Sequence, residues 1–166
     1  MTYAINFEAN NAKFQKEGFP GKQPLPPSKH VTIVSCMDAR IDVHKALGVG
    51  IGEAHLIQNA GGRSAEALRS VVISQQLLGT KEVHVIHHTD CGMLTFSNAD
   101  IRSKIEKDLG TSAANVAGAI DFLPFADLDK SVREDVKFLK DSPLVLDVPI
   151  HGWVYQIEDG KIRKVK

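Results

Sequence analysis

Three short β-branched runs separated by stretches with helical spacing constrain the fold of this chain more than any other feature. Val31 to Ser35, Ala54 to Gln58 and Glu82 to His87 each have the length and composition of a buried strand. Between the first two, Asp42 to Leu47 predicts a brief helix. A longer helix is expected before the third strand. There Ser64 is placed as the cap, Glu66 suits the positive end of the helix dipole, Leu68, Val71, Val72 and Leu78 supply an apolar stripe, and Gly79 ends the run. Strands alternating with crossover helices lie parallel. The expectation is an α/β fold, a single domain over residues 1–166 with a central, mostly parallel sheet flanked by helices.

The flanks differ in character. Phe7, Asn11 and Phe14 share one helical face, and the run breaks at Gly18, Pro20 and the cluster Pro24, Pro26 and Pro27. Residues 1–27 thus read as an N-terminal helical arm with a Pro-rich linker, too poor in apolar residues to form alone, which must dock on its own body or on a partner subunit. Past Cys91, Ile101, Ile105 and Leu109 predict a helix ended by Gly110, whereas Thr111 to Asp127 has no convincing period and is expected to be a loop or lid. Leu128, Val132, Val136 and Leu139 mark a further helix stopping before Pro143. Trp153, Tyr155 and Ile157 alternate, and Asp159-Gly160 precedes Lys161 to Val165, which predicts an antiparallel hairpin at the sheet edge.

Charge and composition exclude several partners. Lys plus Arg and Asp plus Glu both number 20, so no basic field attracts nucleic acid or an anionic membrane. No apolar run approaches membrane-spanning length, and Met1 to Asn10, with Glu8, lacks the pattern of a secretory segment. The expectation is a soluble, cytoplasmic protein whose two cysteines are reduced, catalytic or metal-bound.

The chemistry sits at the strand ends. Cys36, Asp38 and Arg40 follow the first run, and His88 and Cys91 follow the third. Ligands in open α/β sheets bind at the carboxyl ends of the strands. Two thiolates and one imidazole are three zinc ligands, and a fourth position left for water is what a catalytic zinc requires. Zinc lowers the pKa of bound water from about 15.7 to about 7. Asp38 is placed either to take that fourth position or to be held off it by Arg40, in which case it accepts the proton of the water. The candidate metal ligands are therefore Cys36, His88 and Cys91, and the candidate catalytic pair is Asp38 and Arg40. A Cys36–Cys91 disulfide would leave Asp38, Arg40 and His88 without a role, and a structural zinc would be closed by a fourth Cys or His. His44, His55, His84 and His87 read as surface or sheet residues rather than proton shuttles. The Asn59 to Gly62 turn serves either an anion or close packing.

Taken together, these clusters and the Asn59, Ala60, Gly61 turn between them resemble the β-class carbonic anhydrases from about Ser28 to Met93. Pro24 to His30 ahead of the first strand, and the run from His88 through Thr89, Asp90, Cys91 and Gly92 to Met93, are most similar to the compact branch of that family. The resemblance implies zinc on Cys36, His88 and Cys91 and an Asp38–Arg40 catalytic dyad. It also implies reversible hydration of carbon dioxide to bicarbonate and a proton, and a homodimer or homotetramer with the N-terminal helix laid across the neighbour. Pro27 stands where many members carry a glutamine just before the first strand, and Gln23 is offset from it. Carbon disulfide hydrolases resemble the same branch and keep the same triad and dyad. A silent zinc scaffold or redox-responsive protein would have no use for an intact Asp38–Arg40 pair.

Overall fold

The β-branched runs form strands, and the strands form one sheet. The computed structural model describes residues 6–166; the first five residues of the expected arm lie outside the described residues. In chain order the elements are α1 (Phe7–Glu17), β1 (Val31–Cys36), α2 (Val43–Leu47), β2 (Ala54–Asn59), α3 (Ser64–Leu78), β3 (Glu82–His88), α4 (Asn98–Leu109), α5 (Thr111–Gly118), α6 (Leu128–Asp141), β4 (Ile150–Tyr155) and β5 (Ile162–Val165). The sheet order is β2-β1-β3-β4-β5, with the first four strands parallel and β5 antiparallel to β4. The expected α/β architecture with a mostly parallel sheet is what the chain adopts.

One local expectation holds with an addition, and two need correcting. The expected C-terminal antiparallel hairpin is present, β4 pairing with β5 as the edge strand from Gly152↔Val165 to Tyr155↔Ile162; in addition β4 extends the parallel set, pairing with β3 from Val83↔Ile150 to His88↔Tyr155. The reason for the addition is α6, which carries the chain back across the sheet so that β4 ends another crossover. Thr111 to Asp127 is not all loop. Its first half is α5, rich in alanine and therefore helical without an apolar period, and Arg102 of α4 ties down its end by donating to the Ala117 and Ile120 carbonyls. Ser64 does not cap α3. Arg63 occupies the N-cap with no side-chain bond, and Asp135 of α6 accepts the Ser64 N–H instead, at 3.1 Å.

Alternation along the strands sends side chains to two faces with different fates. On one, Val34, Val83, Val85 and Ile150 pack against Ala67 and Val71 of α3 and Leu139 of α6. On the other, Ile33 and Ile86 meet Val43 of α2, with Leu56, Trp153 and Tyr155 half buried around them. That second face keeps an apolar groove of about 290 Å³ lined by Val31, Ile33, Val49, His84, Trp153 and Ile162. Among the described residues the arm helix packs none of its side chains into the core: α1 has no buried residue, and Phe7 and Phe14 are exposed.

Candidate metal centre

Strand order decides where the site forms. From β1 the chain passes to β2 on one side, while β3 lies on the other, so the carboxyl ends of β1 and β3 flank the point where the winding reverses. Cys36 is the last residue of β1 and His88 the last of β3, and Cys91 follows in the turn beyond. The two sulfurs and a ring nitrogen of His88 all lie within 4.8 Å of one another, and all three residues are buried. Both cysteines are free thiols. The predicted ligands are thus brought together.

His88 shows what these donors are for. Its Nδ1 lies 2.8 Å from the Thr89 carbonyl, which fixes the N–H there and leaves a bare lone pair on Nε2. That Nε2 is buried and, among the described residues, has no hydrogen-bond partner. A buried nitrogen lone pair beside two sulfurs fits a borderline-soft cation such as zinc.

The electrostatics of the sulfurs agree. Cys36 is lowered to about 4, first by the hydrogen bond from Cys91, with burial opposing, then by His88 and by the Gly61 N–H 3.3 Å from its sulfur. Cys91 is pushed up, chiefly by the neighbouring Cys36 sulfur and then by burial. On His88 burial is the largest single effect and pulls downward, but the Cys36 sulfur, the Thr89 carbonyl and the Asp38 charge together outweigh it and the net direction is up. A proton shared between two sulfurs is what a divalent cation replaces, since the cation allows both to be thiolates.

Asp38 sits beside the donors without joining them. Arg40 Nε donates to Oδ1 at 2.9 Å and Nη2 to Oδ2 at 2.8 Å, and the Arg40 backbone N–H adds a third bond to Oδ1. Asp38 Oδ2 lies 3.7 Å from His88 Nε2. The Arg40 side chain holds the Asp38 carboxyl well below the usual carboxylate range, against a smaller opposing effect of burial. The adjoining cleft, of about 410 Å³, is walled by Met37, Gly61, Met93 and Phe96.

Of the two purposes weighed for the glycine turn, the structure shows close packing. A Cβ on Gly62 would lie 2.9 Å from the Cys36 nitrogen and from the Ser35 carbonyl carbon, and both Gly61 and Gly62 have positive φ. Close packing therefore requires these glycines. The amide so placed at Gly61 faces a sulfur. Gln23 bonds to the Pro20 and Gly21 carbonyls and rests against Gly52.

Sequence inspection missed a buried network behind the site. His87, fully buried, bonds Ser131 Oγ through Nδ1 at 2.8 Å and Asp135 Oδ2 through Nε2 at 3.1 Å. Arg63 Nη2 lies 3.2 Å from Asp135 Oδ1, and the Phe125 ring stacks on His87 and under Arg63. Alternation in β3 turns His87 away from His88, but only the docking of α6 supplies its partners. Asp90 was missed as well. It accepts from Arg40 between the two ligands of the third strand's turn.

Comparison with known proteins gives the family. A family model described as carbonic anhydrase matches residues 31–162. β-carbonic anhydrase 1 of Mycobacterium tuberculosis is 40% identical over 167 residues, covering 99% of both chains. The chain belongs to the carbonic anhydrase family. A solved structure of a carbonic anhydrase from Glaciozyma antarctica superposes with a TM-score of 0.93 and 48% identity, over 100% of both chains. Among more distant members, a carbon disulfide hydrolase of Saccharolobus solfataricus is 32% identical over 84% of this chain and 79% of its own. Among the described residues, no helix is long and apolar enough to cross a membrane.

Proposed function

We propose that this carbonic anhydrase family member catalyses the reversible hydration of carbon dioxide to bicarbonate and a proton, with zinc held by Cys36, His88 and Cys91 and with Asp38 and Arg40 as the catalytic dyad. The observation that carries the reading is the bare His88 Nε2 gathered with two sulfurs beside a carboxylate that Arg40 grips. When bound, zinc supplies a Lewis acid that brings the pKa of a water on it to about 7. The chain's own residues do the rest. Asp38, kept ionised by Arg40, accepts a hydrogen bond from the reacting water through Oδ2 and orients it; its depressed pKa makes it release a proton to solvent rather than store it. Thr89 fixes the His88 ring, and the Gly61 amide tempers the charge on the Cys36 sulfur. Met93 and Phe96 give the cleft an apolar wall that suits a nonpolar substrate.

Metal analysis of the purified chain, with stopped-flow carbon dioxide hydration, tests this. About one zinc per chain and turnover lost in Asp38→Ala are expected. A zinc-free, inactive wild type would overturn it. Carbon disulfide hydrolysis is the second reading, motivated by the relatives named for it. Carbon dioxide is preferred because the β-carbonic anhydrase relative matches end to end, whereas the hydrolase exceeds this chain. Assaying both substrates side by side separates them.

The substrate is a small molecule, and we read the assembly as a homodimer or homotetramer. The exposed phenylalanines of α1 and the apolar groove on the second sheet face are surfaces that a second copy would bury. Light scattering coupled to size exclusion checks it, and a monomer at micromolar concentration counts against it. We take residues 1–166 as one zinc domain with 1–27 as its arm. We place it in the cytoplasm, where reducing conditions keep two free metal-binding thiols intact.

A further inference from the structure

Arg40 does more than grip Asp38. Its Nη1 donates to the Asp90 carboxylate at 2.6 Å, and its Nη2, besides reaching Asp38, donates to the Asp90 carbonyl at 2.9 Å. One guanidinium is therefore forked between two acidic residues, one in each ligand-bearing segment. Asp90 lies between His88 and Cys91 with φ +52, a left-handed conformation that Asp and Asn tolerate better than other non-glycine residues. In that conformation its carbonyl and carboxylate both face Arg40. An arginine held only by Asp38 would be free to move with it, because nothing in the pair itself fixes its position on the sheet. Arg40 held along its far edge by Asp90 is anchored to the second segment, and the edge left over is the one that Asp38 meets.

We propose that Asp90 is a positioning residue: by holding the far edge of the Arg40 guanidinium it keeps the Asp38 carboxylate beside the Cys36, His88 and Cys91 donors and off them. The Asp90 side chain is 71% exposed, so it acts through Arg40 and not on substrate. The proposal rests on the zinc reading above, because only there does the place of Asp38 govern turnover.

Two variants separate the parts of Asp90. Asp90→Asn keeps the left-handed backbone and an oxygen acceptor but removes the charge; Asp90→Gly removes the side chain and leaves the backbone relaxed. In Asp90→Gly, kcat and kcat/KM are expected to fall together by about five-fold, the ratio matching the upper worth of an exposed ion pair. Asp90→Asn should fall less, and KM and zinc content should not change. A readout independent of turnover is azide titration of the cobalt(II)-substituted protein by visible absorption. An Asp38 set loose competes with azide for the metal, so azide affinity should weaken by a similar factor in Asp90→Gly. Wild-type kcat and azide affinity in both variants would overturn the proposal, as would a rise in KM alone or a loss of zinc that parallels the loss of rate. If the wild type binds metal but hydrates no carbon dioxide, the functional reading fails and the azide titration alone decides the role of Asp90. A wild type that takes up no metal overturns both.

Discussion

Replacing Asp135 by alanine should be among the most damaging single changes in this protein. The Asp135 side chain is 4% exposed and has three partners: the Ser64 N–H, His87 Nε2 and Arg63 Nη2. Arg63 is itself only 11% exposed at the side chain, and its Nε and Nη1 have no partner among the described residues. Removing the carboxylate leaves a buried guanidinium without its counter-charge, a loss of about 3–5 kcal/mol. The α3 N-terminus loses its borrowed acceptor as well. Against a total stability of about 5–15 kcal/mol this is a large fraction, and at about 2–4 °C per kcal/mol it lowers Tm by roughly 6–20 °C. Thermal and urea unfolding of the zinc-loaded protein at one fixed concentration measure it. The double variant Arg63→Met, Asp135→Leu removes both charges and should recover most of the loss, because well-packed apolar residues replace buried ion pairs at little net cost. An Asp135→Ala protein within about 1 kcal/mol of wild type, or a double variant no better than the single one, would refute the reasoning.

Other outcomes follow from the same geometry. Gly62→Ala places a Cβ 2.9 Å from the Cys36 backbone nitrogen at φ +68, so strain and overpacking together should destabilise by about 2–4 kcal/mol, read as a lower unfolding midpoint. Replacing Cys36, His88 or Cys91 by alanine should drop zinc below about one per chain by metal analysis and abolish hydration, while far-ultraviolet circular dichroism stays near wild type. Because the folded pKa of Asp38 is depressed, its ionisation adds stability above the unfolded value of about 3.9 and loses it as pH falls toward the folded one. The difference in unfolding free energy between wild type and Asp38→Asn should therefore be flat from about pH 5 to 8 and shrink below about pH 4; a difference that instead grows with acidification would contradict this sign.

Much of the site was legible because its chemistry is local. Cys36 and His88 each end a β-branched run, and a strand end is visible in the period of the chain itself. The residue types also carry their own chemistry: two cysteines, a histidine and an Asp–Arg pair at this spacing suit few purposes other than holding and tuning a metal. The family resemblance drew on the same short segments. Asp90 and Asp135 were not legible, since neither lies in a distinctive pattern and each acquires its role from a partner far along the chain. α5 escaped for a different reason: a short, alanine-rich helix has no apolar stripe to betray it.

The sequence by itself determined where strands would form, which residues could serve as soft ligands, and that the arm needed something to dock on. Strand order was decided only in three dimensions. Placing β1 between β2 and β3 is what brings Cys36 to His88, and the return of α6 across the sheet is what makes β4 parallel and lets Asp135 cap α3. Side-chain periodicity reports which face of an element is buried but is blind to what covers it. The burial of Arg63, His87 and Asp135 depends on that covering element.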